Sequence, residues 1–245
     1  MISLFLLASF GINAQNLAGV TGLFNIPSAE MMEEGTFVFG ANMMDRNYGG
    51  FDYRRTPVYE WDALAVYGTV AFLPWIEGQF RWTHSIGREI QFSPIYAPDR
   101  MASLRVRLLK GRDNRYPSVV VGAEDPARFA GSPSPSYYAS LYAVATQAFS
   151  MANWEVNLTL GYGFDPKFSW MVDRAQFLRQ DGVFGGLTIG HRALPGSAIM
   201  LEYDSFRWNA GVRVLLFKHL QILAGIYEFK AFSGGLSYRI SLWSE

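Results

Sequence analysis

Strict alternation of apolar and polar residues between Asn153 and Phe164 limits this chain to very few folds. The even positions of the segment carry Trp154, Val156, Leu158, Leu160, Tyr162 and Phe164, and the odd positions carry Asn, Glu, Thr and Gly. Successive side chains of a β-strand point to opposite faces, so this strand has one apolar and one polar face. Aromatic residues at both ends of the apolar face are typical of a strand that crosses a bilayer. The segment also has about the length, roughly 9–11 tilted residues, that one crossing requires.

The same alternation recurs along the rest of the chain. Clear examples are Trp75–Gly87, Met101–Lys110, Arg207–Leu216 and Gly234–Trp243. No segment of useful length has the periodicity of a helix, and no window is apolar enough for a transmembrane helix. Residues 36–245 are therefore predicted to form an all-β fold, an antiparallel transmembrane β-barrel of about twelve strands, with ten or fourteen as alternatives.

The lengths of the connections indicate which membrane the barrel would occupy. The four long connections are Met43–Val58, Arg88–Arg100, Glu124–Pro135 and Asp165–Gly182, and they fall on alternate turns of the meander. They therefore lie on one side of an antiparallel barrel. Outer-membrane barrels have long loops outside the cell and short turns in the periplasm. This pattern predicts a protein in the outer membrane of a Gram-negative bacterium, in contact with outer-membrane lipid.

The region before the barrel divides into two predicted segments. Residues 1–14 are apolar and end in Asn13-Ala14, which favours a secretory signal peptide cleaved after Ala14. Residues 15–35 do not alternate and are predicted to form an N-terminal cap or plug segment. Within it, Glu30 to Glu34 is expected to form a single helical turn that ends at Gly35. A cap on the surface and a segment in the barrel mouth are both compatible with this sequence.

A soluble barrel with an apolar cavity is the main alternative fold. Its polar face would lie in water and would be covered mainly by Lys and Glu. The polar positions here carry Gly, Asn, Thr and Arg instead, and the apolar face is rimmed by Trp and Tyr. Charged residues make up only 17% of the chain, below the typical share of about 25%. The 21 basic and 21 acidic residues balance, which gives no reason to expect a nucleic-acid partner.

Charged residues of the predicted strands fall mainly on the polar face. Charge on the lipid side costs about 2–4 kcal/mol per Arg or Lys at mid-bilayer, so these side chains are expected to face the lumen. This candidate lumen network consists of Glu77, Arg81, Arg105, Arg107, Glu155, Glu202, Asp204, Arg207, Arg213 and Arg239. Both signs are interleaved, which favours a structural network of ion pairs over a selective pore. Arg213 is expected to pair with Glu202 or Glu155.

Residues that could carry catalysis are sparse. The three histidines are His84, His191 and His219, and only His84 and His191 have a serine close in sequence, at Ser85 and Ser197. Neighbouring residues of a strand point to opposite faces, so His84 and Ser85 cannot form a nucleophile–base pair. The chain has no cysteine, and its aspartates fit no calcium-loop spacing. The sequence therefore predicts no catalytic residues, no metal site and no cofactor.

Several stretches resemble the YjbH family of exopolysaccharide-associated outer-membrane proteins. The most specific is GVTGLFNIPSAEMMEEGTF at 19–37, and the others are DRMASLRVRLLK at 99–110, PSVVVGAED at 117–125, LPGSAIMLEYD at 194–204 and GGLSYR at 234–239. Family members often carry a second barrel-like half, so this chain would be a short, single-barrel member. The resemblance implies an outer-membrane barrel linked to export or assembly of extracellular polysaccharide. It implies no catalytic residues.

We therefore expect a non-enzymatic barrel that supports exopolysaccharide export or surface assembly, as an accessory or docking subunit. Other envelope proteins or polysaccharide would be its partners. The candidate loop contacts are Tyr48, Phe51, Tyr53, Arg54, Arg55, Phe168 and Trp170, because aromatic and Arg residues dominate binding surfaces. The alternatives are a subunit of another outer-membrane complex for secretion or assembly, a narrow channel and, remotely, an outer-membrane lipid or glycan hydrolase.

Overall fold

The computed structural model describes residues 14–45, 62–86, 99–126, 139–164 and 180–243. These residues form twelve β-strands and no helix. The strands are β1 (Thr36–Met44), β2 (Ala63–Leu73), β3 (Ile76–Ser85), β4 (Asp99–Leu109), β5 (Ser118–Glu124), β6 (Ser140–Met151), β7 (Trp154–Phe164), β8 (Gly182–His191), β9 (Ala198–Tyr203), β10 (Trp208–Leu216), β11 (Leu220–Tyr227) and β12 (Ala231–Ser241). In the part of the chain that is described, no helix is long and apolar enough to span a membrane.

The twelve strands close into one antiparallel barrel. Each strand pairs with its neighbours in sequence, and β1 pairs with β12, for example Phe39 opposite Tyr238. This confirms the predicted fold and strand number. We call the end of the barrel that carries the β2–β3, β4–β5, β6–β7, β8–β9 and β10–β11 turns the lower end, and the opposite end the upper end. The four long predicted connections join strands at their upper ends, and most of their residues lie outside the described part of the chain.

The apolar face of the strands points outward. Exposure alternates with a period of two along β1, β7 and β11. Aliphatic residues such as Leu158, Val212 and Leu236 are exposed in mid-strand. Exposed aromatic residues lie near both rims: Phe72, Trp75, Trp154 and Trp243 below, and Trp82, Tyr162, Phe164, Trp208 and Phe232 above. An apolar exterior between two aromatic girdles belongs to a membrane barrel, so the soluble alternative is wrong.

Cysteine substitution tests this orientation directly, because the chain has no cysteine of its own. Single cysteines on the outer face should react with a lipid-phase maleimide probe in membranes; suitable positions are Trp154, Leu158, Tyr162, Val212 and Leu236. Cysteines at Asn157, which is buried, and at the inward-facing Glu155 should react at least about tenfold more slowly, since the wall separates them from lipid. Faster labelling at Asn157 than at Leu158 would contradict the assigned orientation.

Residues 15–35 form a plug inside the barrel. All residues from 14 to 32 are buried except Glu30, which is partly exposed. Antiparallel bridges join Gln15 to Thr21 and Gly22 to Pro27, so the plug is a compact meander. It turns at 23–26, where the Leu23 amide donates to the Ile26 carbonyl over 3.0 Å, and then descends to β1. A surface cap is therefore excluded for this segment.

The helical turn expected from Glu30 to Glu34 does not form. The Met32 amide donates to the Glu77 carboxylate, and the Glu30 carbonyl accepts from Arg105 at 3.2 Å. Side chains of the barrel wall thus provide hydrogen-bond partners for backbone groups that would have bonded to each other in a helix. The chain stays extended until the turn at Glu34 and Gly35.

The interior of the barrel contains an apolar core as well as polar groups. Leu17, Leu23, Phe24 and Ile26 of the plug are fully or almost fully buried. They belong to a cluster with inward wall residues, including Met101, Val120, Val144, Phe184, Met200 and Leu223. Burial of apolar surface contributes roughly 25 cal/mol per Å². The plug is therefore held by hydrophobic packing as well as by hydrogen bonds. Where plug and wall residues pack together, the lumen is filled with protein.

Candidate functional site

Two charged sites of the barrel wall hold the plug, one near each end. The lower anchor consists of Glu77 at the beginning of β3 and Arg105 in β4, which face each other in the strand register. Their side chains form an ion pair of 2.7 Å, and both are almost completely buried. The Glu77 carboxylate also accepts from the hydroxyl of Thr21 at 3.0 Å and from the Met32 amide. Arg105 donates to the Ser28 carbonyl, so both members of the pair bind the plug.

The upper anchor consists of Glu202, Asp204 and Asn209, at the upper ends of β9 and β10. The Glu202 carboxylate accepts from three consecutive backbone amides of the plug, at positions 24, 25 and 26, over 2.8 to 3.3 Å. Asp204 accepts from the side-chain amide of Asn25 at 2.9 Å. Asn209 donates to both carboxylates, over 3.2 Å to Glu202 and 3.0 Å to Asp204. The tight turn of the plug is thus capped by carboxylate oxygens from the wall.

Other wall side chains bond the plug backbone between the two anchors. Each is an inward-facing polar residue of a different strand, and each contacts a main-chain group of the plug at 2.6 to 3.1 Å: Asn42, Thr69, Gln79, Thr146 and Gln221. An irregular segment inside a barrel exposes backbone groups that water cannot reach, and these side chains satisfy them. The polar face of the strands therefore serves mainly to hold the plug.

Three wall glycines make room for the apolar tip of the plug. Gly211 and Gly225 face each other on β10 and β11, and the ring of Phe24 lies against both. A β-carbon at Gly225 would come within 2.6 Å of that ring, and one at Gly186 within 2.6 Å of Leu23. Glycine is therefore required at these positions by the close approach of the plug, not by a turn.

Filling the glycine recess should destabilise the plugged barrel. We expect Gly211→Leu to lower the free energy of unfolding by about 1–3 kcal/mol, because the new side chain overlaps the Phe24 ring. Urea titration followed by heat-modifiable migration in gels measures the change. Phe24→Ala in the same chain should recover part of the loss. Gly78→Leu is the matched control, since a β-carbon there would have its nearest neighbour 3.7 Å away. Equal losses of stability in both variants would contradict a specific fit between Phe24 and the wall glycines.

Arg213 does not have the partner that we predicted. Its Nη1 donates to the Gly22 carbonyl of the plug at 3.3 Å. Glu202 is occupied by plug amides, and Glu155 lies 3.8 Å from Arg192 in a half-exposed pair. The predicted pairing with either carboxylate is wrong: Glu202 lies on the neighbouring strand β9, but four register positions above Arg213, where its oxygens bind the plug.

The other residues of the candidate lumen network are dispersed. Arg81 is fully buried and approaches the Met101 sulfur at 3.4 Å. Arg107 and Arg239 are partly buried near the lower end, where Arg239 is within electrostatic range of Glu33. Arg207 lies at the upper rim and pairs with Glu228 at 2.9 Å. The candidate loop contacts Tyr48, Phe51, Tyr53, Arg54, Arg55, Phe168 and Trp170 all lie outside the described residues.

Glu30 is the one ionisable side chain of the plug that is set within the lumen. Its carboxylate accepts from the Asn157 amide at 2.8 Å. Burial raises the pKa of Glu30 to about 7, although Arg213 and Arg105 oppose the rise. A raised pKa means that the folded protein binds this proton more tightly than the unfolded chain. The carboxylate therefore costs no stability below about pH 4.5, and its full cost applies above about pH 7.

This pKa predicts how Glu30→Gln changes the pH dependence of stability. The variant should be more stable than the wild type at pH 8 by up to about 3 kcal/mol, at roughly 1.4 kcal/mol per pKa unit, and the difference should vanish near pH 4. The comparison uses urea titrations of the two proteins across that range. The raised pKa would be contradicted if the difference in stability between the two proteins did not change with pH. It would also be contradicted if the wild type became more stable relative to the variant as the pH rises.

The histidines lie away from any catalytic grouping. His84 is exposed on the outer face, and His191 packs edge-on against Trp154 with 4.7 Å between ring centres. His219 stacks on Tyr238. Within the described residues, none of the three bonds to a serine or a carboxylate. The same part of the chain contains no group of three His, Cys, Asp or Glu side chains that could hold a metal ion.

Comparison with known proteins connects this plugged barrel to a family. The family model YjbH, described as exopolysaccharide biosynthesis protein YbjH, matches residues 14–245. The chain belongs to the YjbH family. The match includes the plug together with all twelve strands, so both parts belong to the family's common sequence pattern.

The other comparisons add little to the family assignment. A search of curated proteins finds no match to this chain. Among solved structures, the chain is similar to the outer membrane protein Omp33 of Acinetobacter baumannii, with 13% identity and a TM-score of 0.38. That alignment covers 86% of this chain and 100% of the other.

Proposed function

We propose that this protein supports exopolysaccharide export or surface assembly as a non-enzymatic accessory or docking subunit in the outer membrane. Membership of the YjbH family supports the link to exopolysaccharide. The apolar exterior between two aromatic girdles supports a location in the outer membrane. In this arrangement the lower end, with its short turns, faces the periplasm and the upper end faces the cell exterior.

The accessory role is supported mainly by the plug inside the barrel. A polymer conduit needs a continuous open path, and barrels with clear aqueous channels have about sixteen strands or more. This barrel has twelve strands, and a buried segment anchored near both ends occupies its lumen. Opening it would break the hydrogen bonds of both anchors and expose the apolar core around Phe24. These costs favour a closed barrel that acts through its surfaces.

The surfaces available for docking are the upper loops and the two rims. The upper loops contain the predicted contact residues, among them Tyr53, Arg54 and Trp170. Aromatic and Arg side chains dominate the energetics of many protein interfaces. A partner that itself forms the export path would bind these loops or the membrane-facing wall. Secretion or assembly of other envelope components is the competing role for the same surfaces.

Deletion of the gene tests the proposal. We expect a clear loss of surface polysaccharide, with normal resistance to detergents and large antibiotics, and recovery on complementation with the wild-type chain. The matched control is complementation with a chain that has a folding defect in the barrel wall. Unchanged polysaccharide together with a permeability or secretion defect would overturn the proposal and favour the role in another complex.

A further inference from the structure

The β4–β5 turn at the lower end differs from the other turns on that side. Residues 110–117 read KGRDNRYP, and we call them the basic hairpin. A bridge between Arg112 and Tyr116 closes it, and the Arg112 amide donates to the Tyr116 carbonyl at 2.9 Å. The β2–β3 and β6–β7 turns on either side of it have only two residues between strands. A connection of eight residues is longer than this sheet needs, and its structure is fixed by specific bonds.

The basic hairpin is held against the strand next to it. β5 has 7 residues and β6 has 12, so the lower part of β6 has no partner strand on that side. The Asn114 amide donates to the Ala148 carbonyl at 2.9 Å, and the Ser150 amide donates to the Asn114 side chain at 3.2 Å. The Ser150 hydroxyl contacts Asp113 at 3.3 Å. These bonds cover the free edge of β6 and fix the hairpin in one conformation.

The basic side chains of the hairpin remain unused by these contacts. Lys110, Arg112 and Arg115 are exposed, and Tyr116 is 45% exposed. None of the three cations forms an ion pair in the described part of the chain. The one carboxylate of the hairpin, Asp113, is directed to Ser150 instead. The result is a rigid turn that presents three cations and an aromatic ring.

The direction of the hairpin favours the mouth of the barrel over the lipid. Ser150 lies four residues after Thr146, so the two side chains point to the same face of β6. Thr146 faces the lumen, since its hydroxyl accepts from the Ala29 amide of the plug. The contact between Asp113 and Ser150 therefore turns the tip of the hairpin towards the lower mouth. A ligand that reached it would come from the aqueous side.

We propose that the basic hairpin binds anionic polysaccharide at the lower mouth of the barrel. Arg forms bidentate hydrogen bonds with carboxylate and phosphate groups, which sugars such as uronates carry at regular intervals. Tyr116, paired with Arg112 across the hairpin, offers a flat apolar face on which a sugar ring can stack, with a hydroxyl at its edge. The inference rests on the proposed function and names the chemical class of the polymer.

Binding of polygalacturonate to the purified full-length protein tests this inference. The protein is placed in nanodiscs of zwitterionic phosphatidylcholine, with neutral dextran as the uncharged comparison. We expect polygalacturonate to bind and dextran to bind at least about tenfold more weakly, and added salt should weaken the binding. The variant with Lys110→Gln, Arg112→Gln and Arg115→Gln should lose about tenfold or more in affinity. Tyr116→Ala should weaken binding of the same polymer by a smaller factor.

A variant with Arg100→Gln, Arg207→Gln and Lys230→Gln removes the same charge at the upper end of the barrel and should bind as the wild type does. Equal binding by the hairpin variant and the wild type would overturn the inference, as would equal binding of dextran. Hairpin-dependent binding to phosphatidylglycerol vesicles without polymer binding would assign the hairpin to lipid instead. Either result leaves the gene-deletion phenotype unaffected, so this inference and the proposed function fail separately.

Discussion

Glu77→Ala is expected to cause the largest loss of stability of any single wall substitution, about 3–5 kcal/mol. The change leaves the guanidinium of Arg105 buried without its counter-charge, 2.7 Å from where the carboxylate was. It also removes the acceptor of the Thr21 hydroxyl and the Met32 amide, so the plug loses its lower anchor. Urea titration followed by heat-modifiable migration in gels measures the loss.

The exposed ion pair of Arg207 and Glu228 provides the control. Glu228→Ala should cost less than about 1 kcal/mol, because solvent already screens that pair. A double change, Glu77→Leu with Arg105→Met, should recover much of the stability lost in Glu77→Ala, since no charge is then left unpaired. If Glu77→Ala and Glu228→Ala unfold at the same urea concentration, the lower anchor does not hold the plug.

Glu202→Gln should have the second large effect, which is an increase in ion leakage through the barrel. The amide group has one acceptor oxygen where the carboxylate has two, and its NH₂ faces plug amides that are themselves donors. Buried donors without partners cost about 1–3 kcal/mol each. The turn at 23–26 should therefore leave its site part of the time.

Single-channel recording in planar bilayers measures this release. The wild type should be silent or nearly so, because the plug fills the lumen, and Glu202→Gln should give frequent brief openings. Glu228→Gln is the matched control: its carboxylate lies at the upper rim, where it pairs with Arg207 and Lys230. Stable wild-type currents as large as those of Glu202→Gln would contradict a closed barrel.

Much of the wall could be predicted from the sequence, because each strand carries its own period of two. The segment from Trp154 to Phe164 shows this, since its apolar positions are the exposed ones. The inward positions of Arg105 and Glu202 also follow from alternation together with the cost of charge in lipid. Both inferences need only neighbouring residues of one strand.

The plug could not be predicted in the same way, because the wall side chains that fix it are distant in sequence. Asn25, for example, is 179 residues from Asp204, whose side chain holds it. A signal was nevertheless present in the strands. Phe184, Met200 and Leu223 are apolar at inward positions, and Gly186 and Gly211 leave gaps beside them. Apolar residues and glycines inside a polar lumen indicate that another apolar segment lies there.

A covalently locked plug tests the central claim that this barrel acts without opening. A β-carbon at Gly211 would lie 3.0 Å from that of Phe24. A disulfide between Phe24→Cys and Gly211→Cys needs about 3.5–4.5 Å between these atoms, so it forms after a shift of roughly half an ångström. The chain has no other cysteine, and the periplasm is oxidising. We predict that cells carrying the locked protein make as much surface exopolysaccharide as cells carrying either single-cysteine variant. Loss of exopolysaccharide in the locked variant alone, restored by a reductant, would show that the plug must move and would contradict a barrel that acts without opening.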